Sequence, residues 1–189
     1  MAEYDFYLIG IGSSAGGFDP LKEIVKALTT DVKAAVIVIQ HIPAQKPSNL
    51  NHILQRITPL DVIAVQNAEL LEPGKIYVMA EGKQFKINDG YISVEERTSE
   101  SKINRTIDHC FKSMATEAKS KSIGVILSGA GYDGLEGAKA IEDEDGLVIV
   151  QDPITAQFPL MPQSLIANDH PDHVLEPKAI AQKLLEYIG

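Results

Sequence analysis

Residues 34–40 read AAVIVIQ, apolar at every position but the last. A strand with one wet face alternates polar and apolar residues, so a short Val- and Ile-rich run without alternation belongs inside a parallel sheet covered on both sides. Parallel neighbours need long crossovers, usually helical. The rest of the chain supplies them. A strand is expected over residues 6–11, then a helix to residue 28 that opens on Asp19 as N-cap and Pro20 at its first position. A second helix is expected over 48–56. Between 62 and 96 the pattern shortens to the segments KIYVMA, QFKIN and YISVEE, the last two joined across Asn88-Asp89-Gly90 as in a hairpin. A helix over 104–119, a strand over 123–127, a helix over 135–144 and a strand over 147–150 restore the alternation, and helices are expected over 163–167 and 177–188. The fold class implied is α/β: a three-layer, mostly parallel, doubly wound sheet with an antiparallel β-hairpin.

With 189 residues and no repeat, linker or low-complexity stretch, one domain over 1–189 is expected. A net charge of -9 argues against a nucleic-acid partner or an anionic membrane surface. A single cysteine, Cys110, excludes an internal disulfide, and it falls among apolar helical neighbours as a small buried hydrophobe. The start MAEYDFYLIGIG lacks the basic flank and long apolar stretch of a signal peptide, and no run approaches the roughly 18 residues that span a bilayer. The expectation is a cytoplasmic protein without membrane insertion.

Chemistry gathers at three expected strand ends, where open α/β sheets hold their ligands. Gly12-Ser13-Ser14-Ala15-Gly16 fits G-x-S-x-G with Ser14 at its centre, between a strand and a helix, where flanking residues without bulk let the backbone turn sharply. Ser13 is off-centre. His41 directly follows AAVIVIQ, ahead of Ile42-Pro43, and an imidazole with an ordinary pKa of about 6.5 can take and return a serine proton. Asp133, in the glycine-rich loop 128–134, can orient that imidazole. Each has a plainer reading: a glycine turn capping a helix, a surface histidine, an N-cap aspartate. Gly129-x-Gly131-x-x-Gly134 followed by Asp152 also matches a dinucleotide fingerprint, although Asp133 would then sit where the pyrophosphate must bind. Asp108, early in its helix, has a capping role open to it there, and Asp152 lies in a turn before Pro153. Residues 169–173, DHPDH, have metal-capable types, but in a proline-broken turn they are expected to be a solvated loop, not a metal site.

Six segments occur together in one order: IGSSAGG, VIVIQHIP, LLEPGKIYVMAEGK, the D-x-x-F-x-S of residues 108–113, GVILSGAGYDGLEG and QDPITAQFPLMP. In these the chain resembles the catalytic domain of the chemotaxis protein-glutamate methylesterases, the CheB type, over nearly its whole length. The resemblance implies a Ser14-His41-Asp133 triad that removes methyl esters from glutamate side chains of chemoreceptor helices and deamidates glutamines there, without cofactor or metal. It implies an oxyanion site in the loops of Ala15, Ala130 and Gly131, and a substrate-cleft wall at Phe158, Met161 and Pro162. Methyl-accepting chemoreceptor helices are the implied partners. Relatives commonly carry an N-terminal receiver domain; none is legible here, which leaves two readings, a piece of a longer chain or a different regulation, such as by a separate phosphorylated protein. The chain departs from the family in having Ala130 where methionine is frequent, Asn-Arg-Thr-Ile at 104–107 where Arg-Pro-Ser-Val is usual, and Gln84 for a frequent histidine. Those departures leave open a non-catalytic binding module of the same fold.

Overall fold

In the computed structural model, which describes residues 2–41, 47–97 and 103–189, seven strands form one parallel sheet. They are β1 (Tyr7–Ser13), β2 (Ala34–Gln40), β3 (Asp61–Ala64), β5 (Lys75–Val78), β8 (Ser122–Ile126), β9 (Leu147–Gln151) and β10 (His173–Leu175), in the order β10-β9-β8-β1-β2-β5-β3. A smaller antiparallel sheet orders β4 (Ala68–Leu70), β7 (Tyr91–Glu96) and β6 (Lys83–Asn88) as β4-β7-β6. Helices α1 (Phe18–Ala27), α2 (Leu50–Gln55) and α6 (Pro177–Ile188) cover one face of the large sheet; α3 (Thr106–Ala118), α4 (Leu135–Asp143) and α5 (Leu160–Asn168) cover the other.

Both faces of the central strands are dry. Ile9, Ile11, Val36 and Val38 enter the core under α1 and α6, while Leu8, Ile37 and Ile39 enter the core under α3 and α4. That explains the unbroken apolar run at 34–40, since a fully buried Val or Ile contributes about 1.5–3 kcal/mol and neither face could forgo it. β5 behaves the same way: Ile76 and Val78 face one core and Tyr77 the other, so KIYVMA contributes a strand to the large sheet between β2 and β3 rather than to the hairpin region. QFKIN and YISVEE do form a hairpin, turning at Asp89 (φ 49°) and Gly90 (φ 83°), the double positive φ that Asp-Gly favours.

Several boundaries differ from expectation: β1 runs on to Ser13, α2 is shorter than 48–56, and two helices start differently. α1 is capped at Gly17 with no side-chain bond, and Asp19 sits inside the first turn, paired with Lys22 at 3.2 Å. There its charge still favours the N-terminal dipole. α5 runs Leu160–Asn168, longer than 163–167, with Pro162 in the first turn where a missing N–H costs nothing.

The approach of α3 to the sheet positions the site. Gly10 and Gly124 are register partners on β1 and β8, and a Cβ on either would come within 2.6 Å and 2.9 Å of the Phe111 ring. Their bare backbones let α3 lie low across the strands, with its N-terminus at the carboxyl edge.

Candidate active site

Ser14, His41 and the Asp133 loop leave the carboxyl ends of β1, β2 and β8, three neighbours in the sheet. The β1-α1-β2 crossover covers one face and the β8-α4-β9 crossover the other, so the chain parts at β1 and β8 and leaves a crevice. Backbone bonds tie the tips together: His41 N–H donates to Ser13 O at 3.0 Å, and Ser14 N–H to Ser128 O at 3.0 Å. The serine turn depends on glycine. Gly16 has φ +73°, and a Cβ on Gly129 would lie 2.6 Å from Met161 Cε and 3.1 Å from Ser14 Cβ.

Asp133 is 5% exposed and heavily bonded. Its Oδ2 lies 2.7 Å from His41 Nε2 and accepts Ile107 N–H at 2.8 Å, while Oδ1 accepts Asp108 N–H at 2.9 Å. A carboxylate only accepts, so Nε2 carries the proton and Nδ1 is left to face other chemistry. Asp133 does not cap the helix that follows it: the N-cap of α4 is Gly134, φ 101°, which has no side chain to offer. Its carboxylate turns instead to the first-turn amides of α3.

Ser14 is half-buried, and its hydroxyl bonds to no other described residue. Ser13 Oγ is buried without a partner, and a Cβ on Gly17 would lie 2.5 Å from it. The Ala15, Ala130 and Gly131 amides donate to no acceptor among the described residues. Ala15 follows the serine directly, and Ala130 follows the glycine packed on Ser14, so free N–H groups stand beside it on two loops. Ser128 joins those loops to a third, its Oγ donating to Ala15 O at 2.8 Å and accepting Phe158 N–H at 2.9 Å. Phe158 is exposed, whereas Met161 and Pro162 are buried behind Gly129.

A cavity of about 380 Å³ opens beside His41 and Asp133, walled by Ile103, Asn104, Arg105, Gly131 and Tyr132. Ile103, Arg105 and Tyr132 were not singled out in the sequence as site residues. Tyr132 lies within the quoted glycine loop, but what brings Ile103 and Arg105 there is the placement of α3, which no local motif encodes. Phe158, Met161 and Pro162 do not line this cavity. Ile42-Pro43, beyond His41, lies outside the described residues.

The remaining candidates have structural roles. Asp152 accepts Ile154 N–H at 3.0 Å in a short turn. Asp172 accepts Val148 N–H at 2.8 Å, and no group of three metal-capable side chains occurs among the described residues. Burial pushes the Cys110 thiol far up, away from a nucleophile's range. The dinucleotide reading fails at α4, because Gly134 and Gly137 N–H, which would face a pyrophosphate, both donate to the Asp108 carboxylate. Asp108 therefore caps α4, not its own helix.

The CheB methylesterase family model matches residues 9–184. The chain belongs to the CheB methylesterase family. A Leptospira interrogans protein provisionally named protein-glutamate methylesterase/protein-glutamine glutaminase is 33% identical over 181 residues, covering 94% of this chain and 93% of its own. The protein-glutamate methylesterase/protein-glutamine glutaminase of Moorella thermoacetica is 29% identical, and the match covers 96% of this chain but 44% of that protein. In three dimensions the chain is similar to the crystal structure of the Thermotoga maritima CheB methylesterase catalytic domain, with a TM-score of 0.89, 29% identity, and coverage of 97% of this chain and 100% of that one. The fold is thus the CheB catalytic-domain fold. No helix among the described residues is long and apolar enough to cross a membrane.

Proposed function

We propose that this chain hydrolyses methyl esters of glutamate side chains on chemoreceptor helices, and deamidates glutamines at such positions, by acyl transfer through Ser14, His41 and Asp133. The observation that carries this reading is the 2.7 Å bond between His41 Nε2 and an Asp133 carboxylate fixed by two α3 amides, at the strand tip beside Ser14.

With Nε2–H held by Asp133, Nδ1 is the base. It takes the Ser14 proton as Oγ attacks the ester carbonyl, and Asp133 stabilises the imidazolium that forms. Negative charge then grows on the carbonyl oxygen, where the unpaired Ala15 and Ala130 amides, with Gly131 next in the loop, can meet it. Their use of backbone N–H makes the alanine in place of methionine chemically tolerable. The intermediate collapses as His41 protonates the departing methoxide to methanol, or the nitrogen of an amide so that it leaves as ammonia. Water deprotonated by the same nitrogen releases the glutamate carboxylate and regenerates Ser14. The Ser14-His41 hydrogen bond is not formed in the free site, and such bonds commonly close only around substrate.

The test is methanol release from methylated receptor. The wild-type chain releases methanol, and Ser14→Ala releases none above background while keeping its thermal transition. Undiminished release by Ser14→Ala would refute the reading.

A further inference from the structure

We infer that Asp108 is a positioning residue for Asp133, acting through the geometry of the loop between β8 and α4; the inference rests on the triad reading above. Asp108 is 3% exposed. Its Oδ1 accepts Gly134 N–H at 3.0 Å and Gly137 N–H at 2.7 Å, and its own N–H donates to Asp133 Oδ1 at 2.9 Å. The two aspartates therefore exchange helices. Asp133, beside the start of α4, is held by amides of α3, while Asp108, in the first turn of α3, holds amides of α4. Gly134 is the residue after Asp133, so the bond from Asp108 fixes the backbone on which the Asp133 side chain turns. Every link of the ring from the Asp108 carboxylate through Gly134, Asp133 and back to Asp108 N–H is a hydrogen bond or a covalent bond.

A simple helix cap would not need this arrangement. Caps are ordinarily supplied by a side chain at the helix's own N-cap, often an uncharged serine or asparagine on the surface. Here a second carboxylate is buried beside Asp133, and burial first, then the charge of Asp133, raises its proton affinity, with the Gly134 and Gly137 bonds opposing. Arg105, at 3.5 Å from Oδ2, offsets part of that cost. α3 and α4 are close enough that a Cβ on Gly137 would lie 3.0 Å from Asp108 Cα, so there is little room for the loop to find another seat. Displacing a catalytic group by about 1 Å can cost on the order of 10² in rate.

Both α4 bonds end on a single oxygen, and this separates geometry from charge. Asp108→Ala removes the acceptor; it should lower kcat at least about tenfold with KM within about twofold. Asp108→Asn keeps an oxygen that can accept the same two amides and should recover most of the loss. The His41 Nε2 proton resonance should be retained in Asp108→Asn and be shifted or broadened in Asp108→Ala. Asp172→Ala is the control, since it removes a part-buried side-chain bond to the Val148 N–H of β9 away from the site; it should lower thermal stability with kcat unchanged. Wild-type kcat in folded Asp108→Ala, or an equal kcat loss in the Ala and Asn variants, would overturn the inference. Should Asp108→Ala not fold, Asp108→Leu replaces it, keeping the volume without an acceptor, and a wild-type kcat there is equally fatal. Asp133→Asn is measured alongside: if it too is fully active, the triad reading has failed, whereas its inactivity beside an active Asp108→Ala defeats only the role given to Asp108.

Discussion

The tip of β8 and the tip of β1 are built on opposite plans. At β8, every oxygen of Asp133 is engaged, by an imidazole and two amides, and the loop is pinned through Asp108. At β1, the Ser14 backbone is anchored to Ser128, but its hydroxyl and the Ala15 amide have no partner among the described residues, and the start of the β8 loop adds an Ala130 amide in the same state beside it. The difference follows the chemistry proposed for each. An orienting carboxylate gains from being fixed before substrate arrives, because misalignment costs rate. A nucleophile and an oxyanion site must leave their hydrogen-bonding capacity unspent until the carbonyl is present.

The contrast breaks most directly at Asp133. Asp133→Asn keeps an oxygen for Asp108 N–H but turns an NH₂ toward His41 and Ile107 N–H, favouring the wrong tautomer; a change of this kind costs roughly 10⁴ in a serine protease. A loss of at least about 10² in turnover is expected here, esters being easier substrates than amides. Asp152→Asn, whose carboxylate serves only Ile154, should stay within about tenfold of wild type. If Asp152→Asn proved inactive and Asp133→Asn active, the orienting residue would be misassigned.

The free tip can be disturbed from the neighbouring β8 loop without touching a titratable group. Gly129→Ala places a Cβ against Met161 and Ser14, so turnover should fall by about tenfold or more, and Met161→Ala in the same chain should restore part of it by vacating that space. Failure of the double variant to recover would mean that packing on Ser14 is not what the glycine protects.

The smallest effect lies far from the chemistry. Glu142 Oε1, near the end of α4, and Asp169 Oδ2, just beyond α5, are shielded from water and meet no other donor among the described residues, so they can bond to each other only when one carboxyl keeps its proton. Burial first, then the Asp169 carboxyl, pushes Glu142 from an ordinary 4.5 up to about 8. A carboxyl raised in the folded state favours folding fully below its ordinary value, and that contribution is lost as pH rises toward 8. The Tm advantage of Glu142→Gln over wild type should therefore grow between pH 5 and pH 8. A gap that narrows over that range would contradict the assignment.

What the sequence makes legible is local. The buried run at 34–40 announces a central strand, and the glycine turns at 12–17 and 128–134 announce strand ends with room for chemistry. The rest depends on contacts between distant segments. Asp108 looks like a cap of its own helix because it stands in the first turn, yet the amides that donate to it lie 26 and 29 residues away, and only the low seat of α3 over Gly10 and Gly124 brings them together. Arg105 enters the cavity wall for the same reason. β5 resembles its hairpin neighbours in length and composition, and only burial on both faces assigns it to the large sheet.

The central claim is that Ser14, and not its neighbour Ser13, is the nucleophile. A fluorophosphonate probe incubated with the folded chain, followed by peptide mass spectrometry, tests it directly. Ser14 should carry the phosphonyl group in a one-to-one adduct, and Asp133→Asn should slow its formation. A label on Ser13, or none on folded protein, would contradict the account.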